Sequence, residues 1–448
     1  MSRIRLFCLF SIFALSLSAS AQRSSVPPVV LISIDGLKPD YVLEADRHQL
    51  KIPNLRRLAK EGAFASAVTG VTPTVTYPSH TTLVTGVSPA KHGIYANTPF
   101  DPFSKNQGGW YWYAEDIRVP TLWDVCAQAG LKTASVDWPV TVGAKIDFNI
   151  VQMWRAATPD DRKLIRALST PGLLTEAEKA IGNYPEGYDY TVEADQRRAA
   201  FNVYLLEKKR PAFLTTYFAG LDEVQHAHGP DSPEAYAALE AIDVLVGQVR
   251  AAAEKLGNGK AVVAVASDHG FSPLNKSLNL NAAFREAGLI EVEAGKVKSW
   301  RAITWNSGGT AAVMLNNKMD EDARAKIRQI LQRLAAAPES GLLKWYEGDL
   351  AQKLGGFPDA AFIVGTKPGT YIGGALESPV IRNLKPSGGH GFLAELKEMD
   401  SSFFIAGAGM QAGKNLGRID MRDIAPTLAG LLGVKLPTAE GRDLFKSR

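Results

Sequence analysis

The sequence predicts an α/β protein: a doubly wound, mostly parallel sheet with an α+β insertion lobe. Three observations carry that prediction. Near-continuous apolar runs, "VVLISID", "FLTTYFAGLD" and "AVVAVASDHG", each end in an acidic or polar cluster, as strands of a parallel sheet do when helices cover both faces and the site lies at their carboxyl ends. Helical patterns separate these runs. Residues 279–374 then break the rhythm with short strand-like pieces around one amphipathic helix.

Taken in chain order, Arg3 and Arg5, the apolar stretch Leu6 to Leu17 and Ala19-Ser20-Ala21 read as a cleavable secretory signal over residues 1–21, because about 20 apolar residues would be needed to span a bilayer. "VVLISID" is the first strand and "IPNLRRLAKEG" the first amphipathic helix. In "TPTVTYPSHTTLVTG", Pro78 suits a first helical turn and Gly86 a helix stop, which places Thr76 at a helix N-terminus. "TLWDVCAQAG" reads as helix with Cys126 as a packing residue. "SPEAYAALEAIDVLVGQVRAAAEKLG" opens with Ser232 as N-cap and Pro233 at the first helical position. In the lobe, "RAITW", "TAAVML" and "AAFIVG" surround the helix "DEDARAKIRQILQRLAAAP", and "DMRDIAPTLAGLLGV" returns to the main layer as a capped helix. The expected organisation is a catalytic core over 28–278 and 375–446 and an insertion subdomain over 279–374.

Loss of residues 1–21 removes two arginines and no acid, so the formal net charge of +4 falls to +2. That excludes the basic footprint of a nucleic-acid-polymer binder. No further segment is long and apolar enough for a membrane anchor. Cys8 leaves with the signal, so Cys126 has no internal disulfide partner. An exported chain of this size without disulfides must rest on its core, which fits a bacterial periplasm.

Only seven histidines occur: His48, His80, His92, His226, His228, His269 and His390. Asp222 and His226 are four apart and share one helical face. Asp268 and His269 stand at a strand end, Asp35 ends the first strand, and glycines flank His390 in "SGGHGF". Any one pair is more often a surface or core pair than a site. Together, the six suit two Zn²⁺ ions, because imidazole and carboxylate both bind zinc and a catalytic site keeps positions open. Iron, manganese or cobalt fit the same donor types. The three carboxylates offset three of four positive charges, and the residual field favours an anionic phosphate oxygen.

A threonine hydroxyl becomes a useful nucleophile when a base or metal takes its proton. The chain has no G-x-S-x-G elbow, so metal activation is the better mechanism. Thr76 is the candidate, at a helix start where N–H groups favour negative charge. Thr74, Thr81, Thr82 and Thr85 read as helix or cap residues.

The strings "LISIDGLKPDYV", "PTVTYPSHTTLVTGVSPAKHGIYAN", "GLDEVQHAHGP", "SDHGF" and "GGHGF", in this order, resemble the nucleotide pyrophosphatase/phosphodiesterase family of the alkaline phosphatase superfamily, over about residues 28–440. The resemblance implies an alkaline phosphatase-like fold and two zinc ions, one held by Asp222, His226 and His390, the other by Asp35, Thr76, Asp268 and His269. It implies attack by Thr76 on phosphorus, a phosphothreonine later hydrolysed by water, and donation from Asn97 to a phosphate oxygen. His80 and His92 match positions near the site that are not ligands. His228 lacks a matching role, and His48 reads as a surface residue.

The implied substrate is a small phosphate ester or nucleotide. Where the family often reads Phe-Pro-Asn-His, this chain has Tyr77-Pro78-Ser79-His80. Tyr77 stays aromatic and is expected to bind substrate by stacking on a base. Trp110, Tyr111, Trp112, Tyr113 and Trp123 either line a base pocket or, twice as readily, pack in the core. "DWPVTVGAKIDFN" departs from the usual Trp-Pro-Gly-Ser, which bears on nucleotide preference. A sulfatase is excluded because "TYPSH" lacks the Cys/Ser-x-Pro-x-Arg string. The competing activity is a phosphomonoesterase of the same superfamily, which calls for extra cations such as a Lys-x-Arg pair; none occurs between Thr98 and Asp160, although Lys145 and Arg155 lie in that stretch. A periplasmic metal- or solute-binding protein is the remaining reading, and it needs no nucleophile.

Overall fold

The computed structural model describes residues 26–106, 108–154, 159–185 and 189–446. The expected signal segment 1–21 and Arg155 lie outside them. Eight strands form the main sheet: β1 (Val29–Ile34), β2 (Ala63–Phe64), β3 (Thr133–Val136), β4 (Phe148–Ile150), β5 (Phe213–Phe218), β6 (Val262–Ala266), β7 (Phe403–Gly407) and β8 (Lys414–Asn415). Their spatial order is β8-β2-β7-β6-β1-β5-β3-β4. The run β6-β1-β5-β3-β4 is parallel throughout, and β7 pairs antiparallel with β6 and β2. The mostly parallel α/β sheet is therefore the observed architecture.

Strand alternation explains why β1 has no polar face. Val30, Ile32 and Ile34 enter an apolar cluster with Leu205, Leu239 and Val246, whereas Val29 and Leu31 enter a second cluster with Leu83, Trp123 and Leu428. Helices α1 (Pro53–Glu61) and α4 (Pro233–Leu256) cover the first face. Helix α2 (Thr76–Thr85) covers the other. Each fully buried aliphatic side chain contributes about 1.5–3 kcal/mol, so the layered sheet is a rigid base. Ser232 caps α4 by accepting from the Ala235 N–H, 3.2 Å away. Cys126 is buried in the second cluster, a packing residue.

The lobe has its own core. An antiparallel sheet in the order Ala302–Ser307, Thr310–Leu315, Phe362–Thr366, Leu342–Glu347 packs on the helix Glu321–Ala335 through Ala323, Ile327, Ile330, Leu331 and Leu334, the spacing of one helical face. A separate three-stranded sheet joins it to the main layer: Ser272–Leu278 pairs with Gly369–Ile372 and, antiparallel, with Ile381–Gly389. In that ladder Ser272 faces Gly389. The chain leaving the core just after His269 and the chain returning just before His390 are thus held side by side. Among the described residues, no helix is long and apolar enough to cross a membrane.

Candidate metal centre and nucleophile

Parallel register sets the site. Val29 of β1 stands level with Phe213 of β5 and Val262 of β6, so all three strands release the chain at the same edge. Asp35 follows β1 directly. Gly36 makes the turn behind it at φ 66°, and a Cβ there would meet Gln225 Nε2 at 2.7 Å, so only glycine fits. After β5 the chain enters helix α3 (Gly220–His228), which carries Asp222 and His226 on one face. The Asp195 carboxylate holds that helix start, accepting from Ala219 N at 3.2 Å and Gly220 N at 2.7 Å. Asp268 and His269 follow β6.

These side chains converge. His269 Nε2 lies 3.2 Å from Asp35 Oδ1 and 3.1 Å from Asp268 Oδ2. His226 Nε2 is 3.3 Å from Asp222 Oδ2, and His390 Nε2 is 3.6 Å from Asp222 Oδ1. The His269 and His390 rings stack, centroids 3.6 Å apart. Two groups have donor atoms within 4.8 Å of one another, Asp35/Asp268/His269 and Asp222/His269/His390, with His269 shared between them.

Each imidazole is oriented by its far nitrogen: His226 Nδ1 lies 3.0 Å from Gly388 O, His269 Nδ1 3.1 Å from Gly270 O and His390 Nδ1 3.1 Å from Thr74 O. A carbonyl can only accept, so Nδ1 carries the hydrogen and Nε2 offers its lone pair inward, the arrangement a metal-ligating histidine needs. Burial pushes these imidazoles below their usual range, His390 to about 3. They are neutral imidazoles. Burial and mutual repulsion raise the carboxyls of Asp35, Asp222 and Asp268 well above the usual carboxylate range.

The donor set fits divalent cations. Asp35 Oδ1, Asp222 Oδ1, Asp268 Oδ2 and His269 Nε2 are buried without hydrogen-bond partners. Buried polar atoms are ordinarily satisfied, so four orphaned acceptors aimed at one place imply a cation to satisfy them. A linkage prediction follows from the carboxyl shifts. In metal-free protein the raised carboxyls favour the fold in acid and lose that contribution as pH rises through their elevated folded values, whereas the depressed imidazoles cost stability as pH falls below 6.5, so above that value the carboxyl loss is the one that remains. At pH 8, where the imidazoles are neutral in both states and only the carboxyl penalty remains, chelator-treated protein is expected to melt lower than untreated protein, with an added divalent cation restoring it. Equal melting with and without chelator at pH 8 contradicts this.

Thr76 is the first residue of α2 and is buried. Its carbonyl lies 2.8 Å from His80 Nδ1, and the same nitrogen is 3.6 Å from Asp268 Oδ2. Two residues earlier, the Thr74 carbonyl holds His390. Contacts to both donor groups thus flank the segment bearing Thr76. Asn97 Oδ1 accepts the Tyr77 N–H at 2.9 Å, which leaves its Nδ2 as a donor. A cavity of about 470 Å³ opens beside the donors, lined by Asn97, His226 and His390 among others. A larger cleft of about 720 Å³ past Ser88, Lys91 and Arg422 contains none of the six donors.

The structure corrects several expectations. Tyr77 is fully buried, its ring 5.0 Å from Trp110 in a small cluster with Ile94 and Val140, so it has no face to stack on a base. Trp123 is likewise sealed in the core, and Trp110, Tyr111 and Trp112 pack against buried side chains. Core packing, the favoured reading, thus holds for these four rings, whereas Tyr113 of the same tract is exposed. His48 is half-buried rather than on the surface, with Nδ1 2.7 Å from Tyr236 O–H. His92 is buried, 3.2 Å from Thr82 Oγ1, and His228 lies apart from the donors beside Glu234. Thr81 and Thr85 bond the carbonyls four residues back, as helix residues do. Two site residues escaped sequence reading. Tyr217 donates a short hydrogen bond to Asp35, and it sits in "FLTTYF", where it passes for an apolar strand residue. Asn306, from the lobe, lines the cavity with no motif to announce it.

Comparison with known proteins gives consistent results. A sequence model of the type I phosphodiesterase / nucleotide pyrophosphatase family matches residues 29–392. An uncharacterized pyrophosphatase/phosphodiesterase of Schizosaccharomyces pombe is 28% identical over 277 residues, 58% of this chain and 50% of that protein. Bis(5'-adenosyl)-triphosphatase ENPP4 of Homo sapiens is 25% identical over 266 residues, 58% of this chain and 51% of the relative. The matches therefore span about half the length of these curated relatives. Among solved structures, an inactive threonine-to-alanine form of murine ectonucleotide pyrophosphatase / phosphodiesterase 5 in complex with AMP superposes with a TM-score of 0.66 at 20% identity, covering 93% of this chain and 97% of that one. That likeness speaks to the fold.

Proposed function

The chain belongs to the type I phosphodiesterase / nucleotide pyrophosphatase family, and from that premise we propose that it hydrolyses phosphodiester or phosphoanhydride bonds in small nucleotide-type substrates through a phosphothreonine at Thr76. The observation that carries the reading is the convergence of six Asp and His donors, four of their atoms orphaned, beside the helix that begins with Thr76. Two zinc ions would be held by Asp222, His226 and His390 and by Asp35, Asp268, His269 and Thr76. When bound, such a pair neutralises the carboxylates and lowers the pKa of the threonine hydroxyl.

The chain's own groups do the rest. Thr76 Oγ forms a bond to phosphorus and the bond to the opposite oxygen breaks, its electron pair leaving with that oxygen; water then hydrolyses the phosphothreonine. Asn97, its Oδ1 occupied by the Tyr77 N–H, has Nδ2 free to donate to a non-bridging oxygen as charge grows there. The relative described as a bis(5'-adenosyl)-triphosphatase and the AMP held by the structural neighbour support a nucleotide-type substrate.

A dianionic monoester needs cations that a diester does not. Lys145, one of two candidates in the sequence, is exposed, which favours the diesterase. The test is hydrolysis of matched aryl diester and aryl monoester substrates by purified protein, with faster diester turnover expected. Monoester turnover faster by orders of magnitude overturns the choice. Export with loss of residues 1–21 belongs to the same reading, and a mature N-terminus at Gln22 by mass spectrometry is the expected result.

A further inference from the structure

In the buried donor group, Asp35 and Asp268 each have one oxygen engaged by the protein and one left over. Asp268 Oδ1 accepts from the main chain, at 3.2 Å from Gly36 N and 3.0 Å from His269 N, and its Oδ2 is the orphan. Asp35 shows the same division: Oδ1 is orphaned, 3.2 Å from His269 Nε2. Its Oδ2 is held by a side chain instead, the hydroxyl of Tyr217.

Sheet register delivers that hydroxyl. Tyr217 of β5 stands level with Ser33 of β1, two residues before Asp35, and strand alternation puts it on the same face as Phe213, in the second apolar cluster. The residue is fully buried. Its ring meets His80 edge-on, centroids 4.7 Å apart at 83°, and Trp154 at 5.7 Å. Packed between these rings, the phenol has no room to swing aside. An ionised carboxylate can only accept, so Tyr217 donates, and a hydrogen bond to a charged oxygen is among the strong ones. Turning Asp35 about its Cβ–Cγ bond would break it. The carboxylate is therefore locked with Oδ1 toward His269. The same ring also steadies His80, whose Nδ1 holds the Thr76 carbonyl at 2.8 Å.

We propose that Tyr217 is a positioning residue that ties Asp35 Oδ2 so that Asp35 meets its cation through Oδ1 alone. The inference rests on the two-ion centre of the function proposed above and assigns an outer partner to one of its ligands. A carboxylate restricted to one oxygen takes one coordination position rather than two. A position on that ion is thereby kept open for the Thr76 hydroxyl.

The test titrates Zn²⁺ into the chelator-stripped full chain against a competing chromophoric chelator. Tyr217→Phe keeps the ring and removes only the oxygen, and His226→Ala, confined to the other donor group, marks which binding step belongs to that ion. Wild-type protein is expected to bind two ions, and Tyr217→Phe to weaken the Asp35 step by about 10- to 100-fold while leaving the other step in place. The second readout uses cation-loaded protein and needs no folded metal-free form: the visible bands of Co²⁺ weaken as its coordination number rises. They are expected to be weaker in Tyr217→Phe, because a freed Oδ2 joins Oδ1 on the ion. No weakening of the Asp35 step, equal weakening of both steps, or Co²⁺ bands of unchanged intensity each overturns the proposal while the metal centre stands. Wild-type protein that takes up no divalent cation removes the centre itself.

Discussion

Thr76→Ala is expected to lower turnover of an aryl phosphodiester by on the order of 10³-fold or more, the scale seen when a covalent nucleophile is removed, while the protein still binds its cations. The two halves of that expectation come from different residues. Turnover depends on a hydroxyl at the first position of α2. Cation binding in the proposed site rests mainly on six other side chains, Thr76 being only one of four ligands to one of the two ions, and their geometry is set by β1, β5 and β6 and by the Gly388, Gly270 and Thr74 carbonyls. The substitution removes one hydroxyl and one methyl group and leaves alanine at a helical position, so folding should be little affected. Metal analysis, melting temperature and single-substrate kinetics on the same preparation separate these effects. Activity retained in the variant would sink the covalent mechanism. A protein that only binds metal or solute would show no change in its ligand binding, and wild-type turnover distinguishes it from an enzyme at the outset.

The parts of the site legible in the sequence are those that local rules decide. β1, β5 and β6 read as apolar runs because both of their faces are covered, and their acids fall at the ends because a parallel sheet puts all its carboxyl ends on one edge. Asp222 and His226 share a face by helical spacing alone. What local rules do not decide was not legible. Tyr77 and Trp110 have the same composition whether they stack on a base or on each other, and only the packing of Ile94 and Val140 around them settles it. The approach of His390 to His269 depends on a ladder between Ser272 and Gly389 that closes over the entire lobe. Arg198 lies in "EADQRRAAF", which reads as the charged side of a solvated helix, yet it is fully buried.

That buried arginine makes the second large effect. Its Nε lies 2.8 Å from Asp137 Oδ2 and its Nη1 2.9 Å from Asp195 Oδ1, and it also donates to the Asp189 carbonyl. Asp195 in turn holds the start of α3, the helix that carries Asp222 and His226. Arg198→Met is expected to destabilise the protein by about 3–5 kcal/mol, because removing one partner of a buried ion pair leaves the other charge uncompensated. Here two carboxylates are left. Burial already raises Asp137 to about 7 and Asp195 to about 6, with the Arg198 charge opposing the rise. Without that charge both rise further. A carboxyl whose folded pKa exceeds its unfolded value stabilises the fold fully in acid and loses that contribution as pH climbs through the folded value. The gap in melting temperature between Arg198→Met and wild type should therefore be modest near pH 4 and widen from there to beyond pH 7. A gap that stays constant across this range contradicts the electrostatic account, and no gap at pH 8 contradicts the pairing itself. Loosening of Asp195 should also reach the site: outer partners of metal ligands typically matter about 10- to 100-fold in affinity, so cation binding is expected to weaken in the folded variant at acid pH, before global unfolding intervenes. Arg198→Lys keeps a charge but not a guanidinium fork able to meet Asp137 and Asp195 together, and should fall between the two in both readouts.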